Sequence, residues 1–452
     1  MYTEFLSFPD NFVWGVATAS YQIEGGADED GKGKSIWDVF SHVKGATADG
    51  ENGDTACDHY HRYGEDVQLM RSLGIKNYRL SMAWPRIFPE GAGHLNQHGL
   101  DFYDRLFDAC LAAGITPWVT LFHWDLPLAL QKNGGFASRD CADRFCEYAN
   151  TVTRHFGDRI KNWITFNEPW VYSICGHLYG VHAPGIQNLA TALSAAHNIL
   201  LAHGKSLPVI RSNARGAKAG IVNNLAWIES ASSRQEDIDA AKRWDLAFNR
   251  WFMDPLSGKG YPQEIAAWYG KNMPEIKDGD FDHISGPVDF LGINYYTRRL
   301  VSAAPADGHI NAKQTYRAHI KRAEFEEWEW YPEGLYKTLI DIKEQYNNIP
   351  VYITENGTSG PDVISADGCV HDPERVEYLR RHFAAAWQAI QEGCDVRGYF
   401  VWTLYDNFEW GFGFTKQFGL VYIDRQNGLR RVIKDSGHFT AGVFDRNGFT
   451  VD

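Results

Sequence analysis

The sequence predicts an α/β fold: a single (β/α)8 TIM barrel with elaborated loops between its strands and helices. Three observations support this prediction. Amphipathic helices alternate with nearly continuous apolar strands, which is the pattern of a buried parallel sheet. The helix and strand unit recurs at a regular spacing along the chain. The candidate strands number about eight, as a closed barrel requires.

The repeat is clearest in three neighbouring copies, each with an amphipathic helix, a glycine at its end and an apolar strand. The glycines are Gly74, Gly114 and Gly157, and their separation of about 40 residues suits a βα unit lengthened by a loop. The helices cover 57–73, 100–113 and 138–156, and the strands cover 75–84, 115–124 and 160–170.

Five further apolar runs complete the set of strands, namely 13–18, 218–224, 288–294, 351–356 and 397–403. A doubly wound open sheet is the alternative, but the first βα turn has no G-x-G-x-x-G pattern and no Walker-type phosphate loop occurs. Residues 300–335 read as a long loop insertion. No segment resembles an interdomain linker, so we expect one domain over residues 1–452.

Composition excludes several classes of protein. The hydrophobic share of 44% and the charged share of 22% are those of a soluble globular protein, not of a disordered or fibrous one. The net charge of −13 disfavours nucleic acid and anionic membranes, which would be repelled. No stretch is apolar enough for a secretory signal or a membrane helix. We therefore expect a small neutral partner.

Cysteine and histidine usage predicts neither disulfides nor a metal. Seven cysteines are scattered through a chain too large to need a disulfide framework, which indicates a reducing compartment, and we expect the cytoplasm. Cys141 and Cys146 are five residues apart on a predicted helix and so do not share a face. His59 and His61 lack ligands at metal-binding spacing in the sequence. We expect no metal and no cofactor.

Polar side chains mark the ends of the predicted strands, where the active sites of such barrels lie. Amides and carboxylates bind hydroxyl groups, and flat aromatic faces bind the C–H surfaces of sugars. In chain order these residues are Arg79, His123, Trp124, Asn167, Glu168, Asn223, Asn224, Asn294, Tyr295, Tyr296, Glu355, Asn356 and Trp402. We expect them to converge on one pocket.

Glu168 and Glu355 are the carboxyl groups at the ends of predicted strands four and seven. Glycoside cleavage needs two carboxyl groups beside the anomeric carbon, and a retaining enzyme holds them about 5–5.5 Å apart. Each glutamate also has a structural interpretation. Asn356-Gly357 favours a turn with positive φ, and Pro169 favours an extended loop at the residue before it. The residues alone leave both interpretations open.

Two motifs resemble those of a known family: T-F-N-E-P at 165–169 and I-T-E-N-G at 353–357 are similar to the two active-site motifs of family 1 glycoside hydrolases. The likeness continues in order along the chain through F-V-W-G-V-A-T-A-S-Y-Q-I-E-G, Y-R-L-S-M-A-W-P-R-I, F-H-W-D-L-P, G-I-N-Y-Y-T, W-E-W-Y-P-E-G-L, W-T-L-Y-D-N-F-E-W and F-G-L-V-Y-I-D. It implies a retaining β-glucosidase of carbohydrate metabolism and cellulose degradation. Such an enzyme removes terminal β-D-glucosyl residues from oligosaccharides and from aryl or alkyl glucosides.

The resemblance implies different roles for the two glutamates, with Glu168 as general acid/base and Glu355 as nucleophile. Because two nearby carboxyl groups do not both ionise easily, we expect Glu168 to keep its proton while Glu355 is charged. Arg79 and Tyr296 are implied to keep Glu355 ionised and oriented, and Asn294 to support the acid/base. Arg79 alone also fits a structural ion pair at the barrel mouth.

For the sugar, the resemblance implies hydroxyl-binding side chains, a stacking floor and an aglycone platform. Trp402 is the implied floor, and Trp328, in the insertion, is the implied platform. The chain has sixteen tryptophans, most of which fit ordinary packing, so position at a strand end distinguishes these. The remaining implied substrate-binding residues are Gln22, His123, Trp124, Asn167, Glu409 and Trp410.

Two alternatives remain at this stage. Phosphate-accepting relatives carry small residues in place of Glu409-Trp410, followed by a lysine and a tyrosine. Here Lys416 is present, but Phe418 replaces the tyrosine, so a 6-phospho-β-glycosidase would have an incomplete anion pocket. A catalytically silent sugar-binding barrel is the other alternative, although silent relatives lack one of the two glutamates. Glu327 is a departure from the family, which usually has glycine there. The sequence also allows a homo-oligomer.

Overall fold

The computed structural model describes residues 4–305, 308–323 and 328–451. Eight parallel strands close into a barrel in which each strand pairs with its neighbours in chain order and the last pairs with the first. They are β1 (Val13–Ala17), β2 (Asn77–Ser81), β3 (Thr116–Phe122), β4 (Asn162–Asn167), β5 (Lys218–Asn224), β6 (Phe290–Asn294), β7 (Val351–Asn356) and β8 (Val396–Trp402). The predicted (β/α)8 fold is confirmed.

Helices occupy the connections between these strands. The α-helices are Ser20–Ile23, Ile36–Phe40, His59–Ser72, Trp84–Ile87, Gln97–Ala112, Leu128–Lys132, Asp140–Phe156, Leu189–Asn213, Gln235–Asp245, Trp251–Leu256, Gln263–Tyr269, Asp280–Ile284, Pro332–Gln345, Pro373–Gln391 and Asp435–Arg446. Two π-helical segments, Val171–Tyr179 and Leu246–Arg250, follow β4 and β5. Short 3-10 turns occur at Ala48–Gly50, Gly135–Ala137, Gly270–Asn272 and Trp410–Phe412.

The three predicted helix-ending glycines work in two different ways. Gly74 and Gly114 adopt positive φ values of 68° and 74°, which end their helices as predicted. Gly157 has φ of −69° instead. A Cβ atom there would lie 2.3 Å from the carbonyl oxygen of Thr153, so close packing rather than backbone conformation requires the glycine.

The expectation of a loop over residues 300–335 is wrong for part of that segment. Arg299–Ala303 and Ala312–Thr315 form an antiparallel pair, and Ile228–Ser230 pairs in parallel with the first of them. Leu300 and Val301 are buried, so two consecutive apolar side chains anchor a strand that the polar surroundings obscured in the sequence. Two more antiparallel pairs lie outside the barrel, Glu4–Ser7 with Gly448–Val451 and Val421–Asp424 with Arg430–Ile433.

Aromatic rings fill the interior of the barrel. Trp118 lies at its centre, with ring centroids 4.6 Å from Tyr352, 5.3 Å from Phe400 and 5.6 Å from Phe290. Glycines in the strands make room for these rings, since a Cβ atom on Gly15 would lie 2.6 Å from Phe400. The interior is therefore a packed core, and polar side chains gather at the carboxyl end of the strands.

The described residues bear on the predictions about membranes, metals and cysteines. No helix within it has the length and apolar character needed to cross a membrane. No group of three or more His, Cys, Asp or Glu side chains is arranged for a metal ion in that same part. Cys141 and Cys146 share a helix, but only Cys141 is buried. Carboxylates do neighbour the two histidines, as His59 lies 2.7 Å from Asp66 and His61 lies between two exposed carboxylates.

Candidate active site

A cavity of about 570 Å³ opens at the carboxyl ends of the barrel strands. Most of the predicted site residues line it: His123, Trp124, Glu168, Asn294, Tyr296, Trp328, Glu355, Trp402, Glu409, Trp410 and Phe418. Arg79, Gln22 and Asn167 are almost fully buried among these residues. The predicted convergence on one pocket is therefore seen for the larger group and for Asn224, and Arg79, Gln22 and Asn167 contact that group directly. It does not hold for Asn223, Tyr295 and Asn356, which are buried and do not line the cavity.

Glu355 is held by two donors at the end of β7. The Arg79 guanidinium, which is 1% exposed, donates through Nη1 to Oε1 of Glu355 at 2.5 Å. The hydroxyl of Tyr296 donates to Oε2 at 2.7 Å. Arg79 also donates through Nη2 to Oδ1 of Asn167 at 2.6 Å, which fixes the guanidinium plane. Both oxygens of Glu355 thus have a fixed orientation and a neighbouring positive charge.

Glu168 follows directly after β4 and has a different kind of partner. Its backbone φ of 48° is unusual for a residue with a side chain and takes the chain out of the strand direction at this point. The Asn294 amide donates to Oε1 of Glu168 at 2.7 Å. Asn294 is itself oriented, because Oγ1 of Thr354 donates to its Oδ1 at 2.7 Å. The partner of Glu168 is therefore a neutral amide.

These surroundings separate the acidities of the two carboxyl groups. Burial raises the pKa of Glu168 well above the usual value, and the nearby charge of Glu355 raises it further. Burial also raises the pKa of Glu355, but the charge of Arg79 and the hydrogen bond from Tyr296 oppose that effect. The proton shared by this pair of groups accordingly resides on Glu168.

Glu409 is a third carboxyl group on the cavity wall. Burial, together with the charge of Glu355, raises the pKa of Glu409 to about 8, while the amide of Gln22 acts in the opposite direction. Three acidic side chains, Glu168, Glu355 and Glu409, thus line one cavity, and of these Glu355 pairs with Arg79. This crowding keeps protons in the site at neutral pH.

Gln22 and His123 each present a buried polar atom. Nε2 of Gln22 donates to the backbone oxygen of Phe408 at 2.9 Å and to Oδ1 of Asn407 at 3.1 Å. Oε1 of Gln22 and Nδ1 of His123 find no partner within the described residues. Burial, with the charge of Arg79, holds the pKa of His123 well below its usual range, so its imidazole is neutral. Buried atoms of this kind are hydrogen-bonding positions that a ligand can satisfy.

Aromatic rings form the walls of the cavity. The His123 ring lies 6.0 Å from both Trp402 and Trp410 and is nearly parallel to each. On the opposite wall, the Trp328 ring lies 4.7 Å from that of Tyr296 and 6.1 Å from that of Phe418. Polar groups and flat rings together suit a ligand with hydroxyl groups and C–H faces.

The sequence missed some residues that line the cavity. Trp170, Cys175 and His182 follow β4, so the rule that loops after strands line the site identifies them in retrospect. Phe248 lies in a π-helical segment and Arg299 in a strand outside the barrel. No local pattern marks those two. The other lining residues beyond the prediction are Val171, Leu225, Ala226, Thr297, Phe412 and Lys416.

Comparison with known proteins shows the family to which the chain belongs. The model of "Glycosyl hydrolase family 1" matches residues 5–449. The chain belongs to glycosyl hydrolase family 1. Among its family 1 relatives, "Beta-glucosidase A" of Thermotoga maritima is 49% identical over 443 residues, covering 98% of each chain. The "1,4-beta-D-glucan glucohydrolase" of Thermotoga neapolitana is 47% identical over 445 residues, covering 98% of this chain and 99% of its own.

A solved structure of the family shows the same fold. The family 1 β-glucosidase from Thermotoga maritima in complex with isofagomine lactam superposes with a TM-score of 0.95 at 47% identity, covering 99% of this chain and 100% of its own. The resemblance found in the motifs is confirmed, and so is the enzyme class of glycosyl hydrolase. The names of these relatives do not favour the 6-phospho-β-glycosidase or the silent barrel. Glu327, the predicted departure from the family, lies outside the described residues.

Proposed function

We propose that this family 1 glycosyl hydrolase is a retaining exo-β-glucosidase. Its substrates are oligosaccharides and aryl or alkyl glucosides with a terminal non-reducing β-D-glucosyl residue. One observation carries the proposal, which is the unequal surroundings of two carboxyl groups in one cavity. Glu355 is paired with Arg79, whereas Glu168 is bonded to the neutral amide of Asn294. This difference suits one charged nucleophile and one protonated acid.

In the first step, Glu355 attacks the anomeric carbon while Glu168 donates its proton to the leaving oxygen. Arg79 and Tyr296 hold the two carboxylate oxygens of Glu355, so little reorientation is needed for attack. The raised pKa of Glu168 keeps the acid form present near neutral pH. The aglycone leaves as a neutral alcohol, and a covalent glucosyl ester of Glu355 remains.

In the second step, the same residues act in reverse. The ester of Glu355 carries no charge, so the repulsion that raised the pKa of Glu168 disappears. Glu168, which gave its proton to the leaving oxygen in the first step, therefore stays ionised and takes a proton from the incoming water. Water attacks the anomeric carbon from the face that the aglycone left, and glucose is released with its original configuration.

The glucosyl ring is proposed to lie over Trp402, with hydroxyl groups bound by side chains that include Gln22 and His123. The unpartnered polar atoms of those two residues support this placement. Trp328 forms the aglycone platform opposite. The remaining proposed contacts to the sugar come from Asn167, Glu409, Trp410 and the ring of Trp124, whose indole N–H is already bonded to the backbone oxygen of Asn167. A neutral sugar fits, because its hydroxyl groups can hydrogen-bond to the neutral amide of Gln22 and the neutral imidazole of His123.

Chemical rescue tests the assignment of the two glutamates. Purified wild-type protein is expected to cleave an aryl β-glucoside. Glu355→Gly is expected to abolish cleavage, and added azide is expected to restore it with an inverted product, since azide replaces the missing nucleophile. Glu168→Ala is expected to give a retained azide product. Identical product configurations from both variants would contradict the assignment, and an intact wild-type protein that cleaves no aryl glucoside would contradict the function.

We also propose that residues 1–452 form one domain in the cytoplasm that contributes to cellulose degradation. Pairing of Glu4–Ser7 with Gly448–Val451, from opposite ends of the chain, supports one domain, and a single cooperative calorimetric transition is expected. The seven cysteines form no disulfide, which supports a reducing compartment. Cell fractionation with antibody detection tests the location, because recovery outside the cytoplasmic fraction would contradict it.

A further inference from the structure

A series of neighbouring aromatic side chains begins in the cavity and continues to the surface, where Tyr179 and Trp268 are exposed. Trp170, which lines the cavity, has its ring 6.5 Å from that of Tyr179, and Tyr179 lies 6.2 Å from the ring of His309. The indole Nε1 of Trp268 donates to the backbone oxygen of His309 at 2.9 Å. We name Trp170, Tyr179, His309 and Trp268 the aromatic track.

Tyr179 connects the cavity to the surface. It is 40% exposed, and it ends the π-helical segment that follows β4. The charged and polar groups that act on its hydroxyl, Cys175 and Arg299, both line the cavity. The tyrosine therefore lies beside the cavity with part of its side chain exposed.

Trp268 is fixed in place although much of it is exposed. The side chain is 44% exposed, yet its indole N–H is bonded to His309 and the guanidinium of Arg243 lies 4.9 Å from its ring centroid. Arg243 is held in turn by the backbone oxygen of Ile310 at 3.0 Å. A large apolar ring that is held in one orientation and exposed to solvent can bind a ligand with little loss of side-chain conformational entropy.

We propose that the aromatic track binds the reducing-end part of a β-linked glucan that is too long for the cavity. The inference rests on the proposed β-glucosidase function and adds a substrate class, soluble β-1,4-linked oligosaccharides of four or more glucosyl units. Flat aromatic faces suit the C–H faces of successive sugar rings, and the polar atoms at the ring edges suit their hydroxyl groups. Continuity of the track with the cavity selects this ligand, because a chain whose first unit lies at Glu355 must leave over the rim.

Chain-length dependence tests the proposal. Values of kcat/KM are measured for cellopentaose, cellobiose and an aryl β-glucoside with wild-type protein and with Trp268→Ala. The substitution is expected to lower kcat/KM for cellopentaose about two- to tenfold, the equivalent of one lost aromatic contact. Cellobiose and the aryl glucoside, which end inside the cavity, are expected to be cleaved at unchanged rates. Trp268→Phe keeps a ring and is expected to recover most of the loss.

Phe5→Ala is a matched control, since Phe5 is 48% exposed in a strand that precedes β1, at the other end of the barrel. It is expected to leave all three rates unchanged. Equal losses on all three substrates with Trp268→Ala, or no change on any, would overturn the proposal while leaving the β-glucosidase function in place. A change in mass by light scattering without a change in chain-length dependence would make the track a subunit contact and also overturn it. Failure of wild-type protein to cleave the aryl glucoside would instead refute the function itself.

Discussion

Two buried groups of charges in this molecule differ in how far their carboxylates are neutralised. In the catalytic group the Arg79 guanidinium pairs directly with one of three carboxyl groups, Glu355, and the described residues form no ion pair with Glu168 or Glu409. Burial and mutual repulsion raise the pKa of Glu168 well above its usual value and that of Glu409 to about 8. The catalytic group consists of Arg79, Glu168, Glu355 and Glu409.

The loop group has two cations for three carboxylates. Nη2 of Arg375 donates to Asp362 at 2.7 Å, and Nζ of Lys434 donates to Asp406 at 2.7 Å. Arg375 also pairs with Asp372, and Lys434 with Asp362. These contacts join the segment after β7 to the segment after β8, which carries Glu409, Trp410 and Phe418. The loop group consists of Asp362, Asp372, Arg375, Asp406 and Lys434.

The difference shows what each arrangement does. Carboxyl groups that share too few cations hold protons at neutral pH, which suits acid catalysis but adds little to stability. Carboxylates that pair with buried cations fix two loops relative to each other, and loss of the shared Asp362 removes one of the two carboxylates that each cation contacts. We therefore expect substitutions in the catalytic group to change activity and those in the loop group to change stability.

Glu168→Gln gives the largest expected effect and tests the catalytic side of the contrast. It removes the proton donor, so kcat/KM on an aryl glucoside with a poor leaving group is expected to fall about 10³- to 10⁴-fold. The free energy of unfolding is expected to stay level or rise, because one of three crowded carboxyl groups is gone. Denaturant unfolding monitored by tryptophan fluorescence measures it. A loss of stability comparable to that of a broken ion pair would refute the contrast.

Asp362→Asn tests the loop side. It removes the carboxylate that Arg375 and Lys434 share, but each cation keeps one other carboxylate, so the free energy of unfolding is expected to fall by about 1–3 kcal/mol. At a temperature where the variant is folded, kcat is expected to stay within a few-fold of wild type. Asp10→Asn, at an exposed position, is the control and is expected to change neither quantity. An unchanged midpoint of thermal unfolding in Asp362→Asn would contradict the claim that the loop group stabilises the folded protein.

The pH dependence of stability tests whether the catalytic group holds protons that the unfolded chain has lost. Between the ordinary glutamate pKa of about 4.5 and the value of about 8 in the folded protein, Glu409 holds a proton that the unfolded chain has lost. Folding therefore takes up a proton in this range, and the free energy of unfolding falls as pH rises. Glu409→Gln is expected to flatten this fall by about 1–3 kcal/mol between pH 5 and pH 8. Parallel curves for variant and wild type would show that Glu409 titrates normally.

The sequence predicted one of these two groups much better than the other. Glu168 and Glu355 each end an apolar strand, so the barrel pattern placed both at one mouth, and family motifs supplied their roles. The partners in the loop group carry no such pattern, because Asp362 and Lys434 are 72 residues apart in irregular segments and meet only in the folded chain. A positive φ at Glu168 was equally invisible, since it follows from the tertiary position of the chain and not from its residue type.

Asn407 lies where the two groups meet, directly after Asp406, and gives the smallest expected effect. Its Oδ1 accepts a hydrogen bond from Nε2 of Gln22 at 3.1 Å, which helps to turn the other end of that amide toward a ligand. Asn407→Ala is expected to raise KM about two- to fivefold with little change in kcat, the equivalent of one neutral hydrogen bond of about 0.5–1 kcal/mol. Asn427→Ala, whose amide bonds Asp424 outside the cavity, is the control. If Asn407→Ala instead lowers the unfolding midpoint and leaves KM unchanged, Asn407 belongs with the loop group, and the boundary between the two groups lies closer to Gln22.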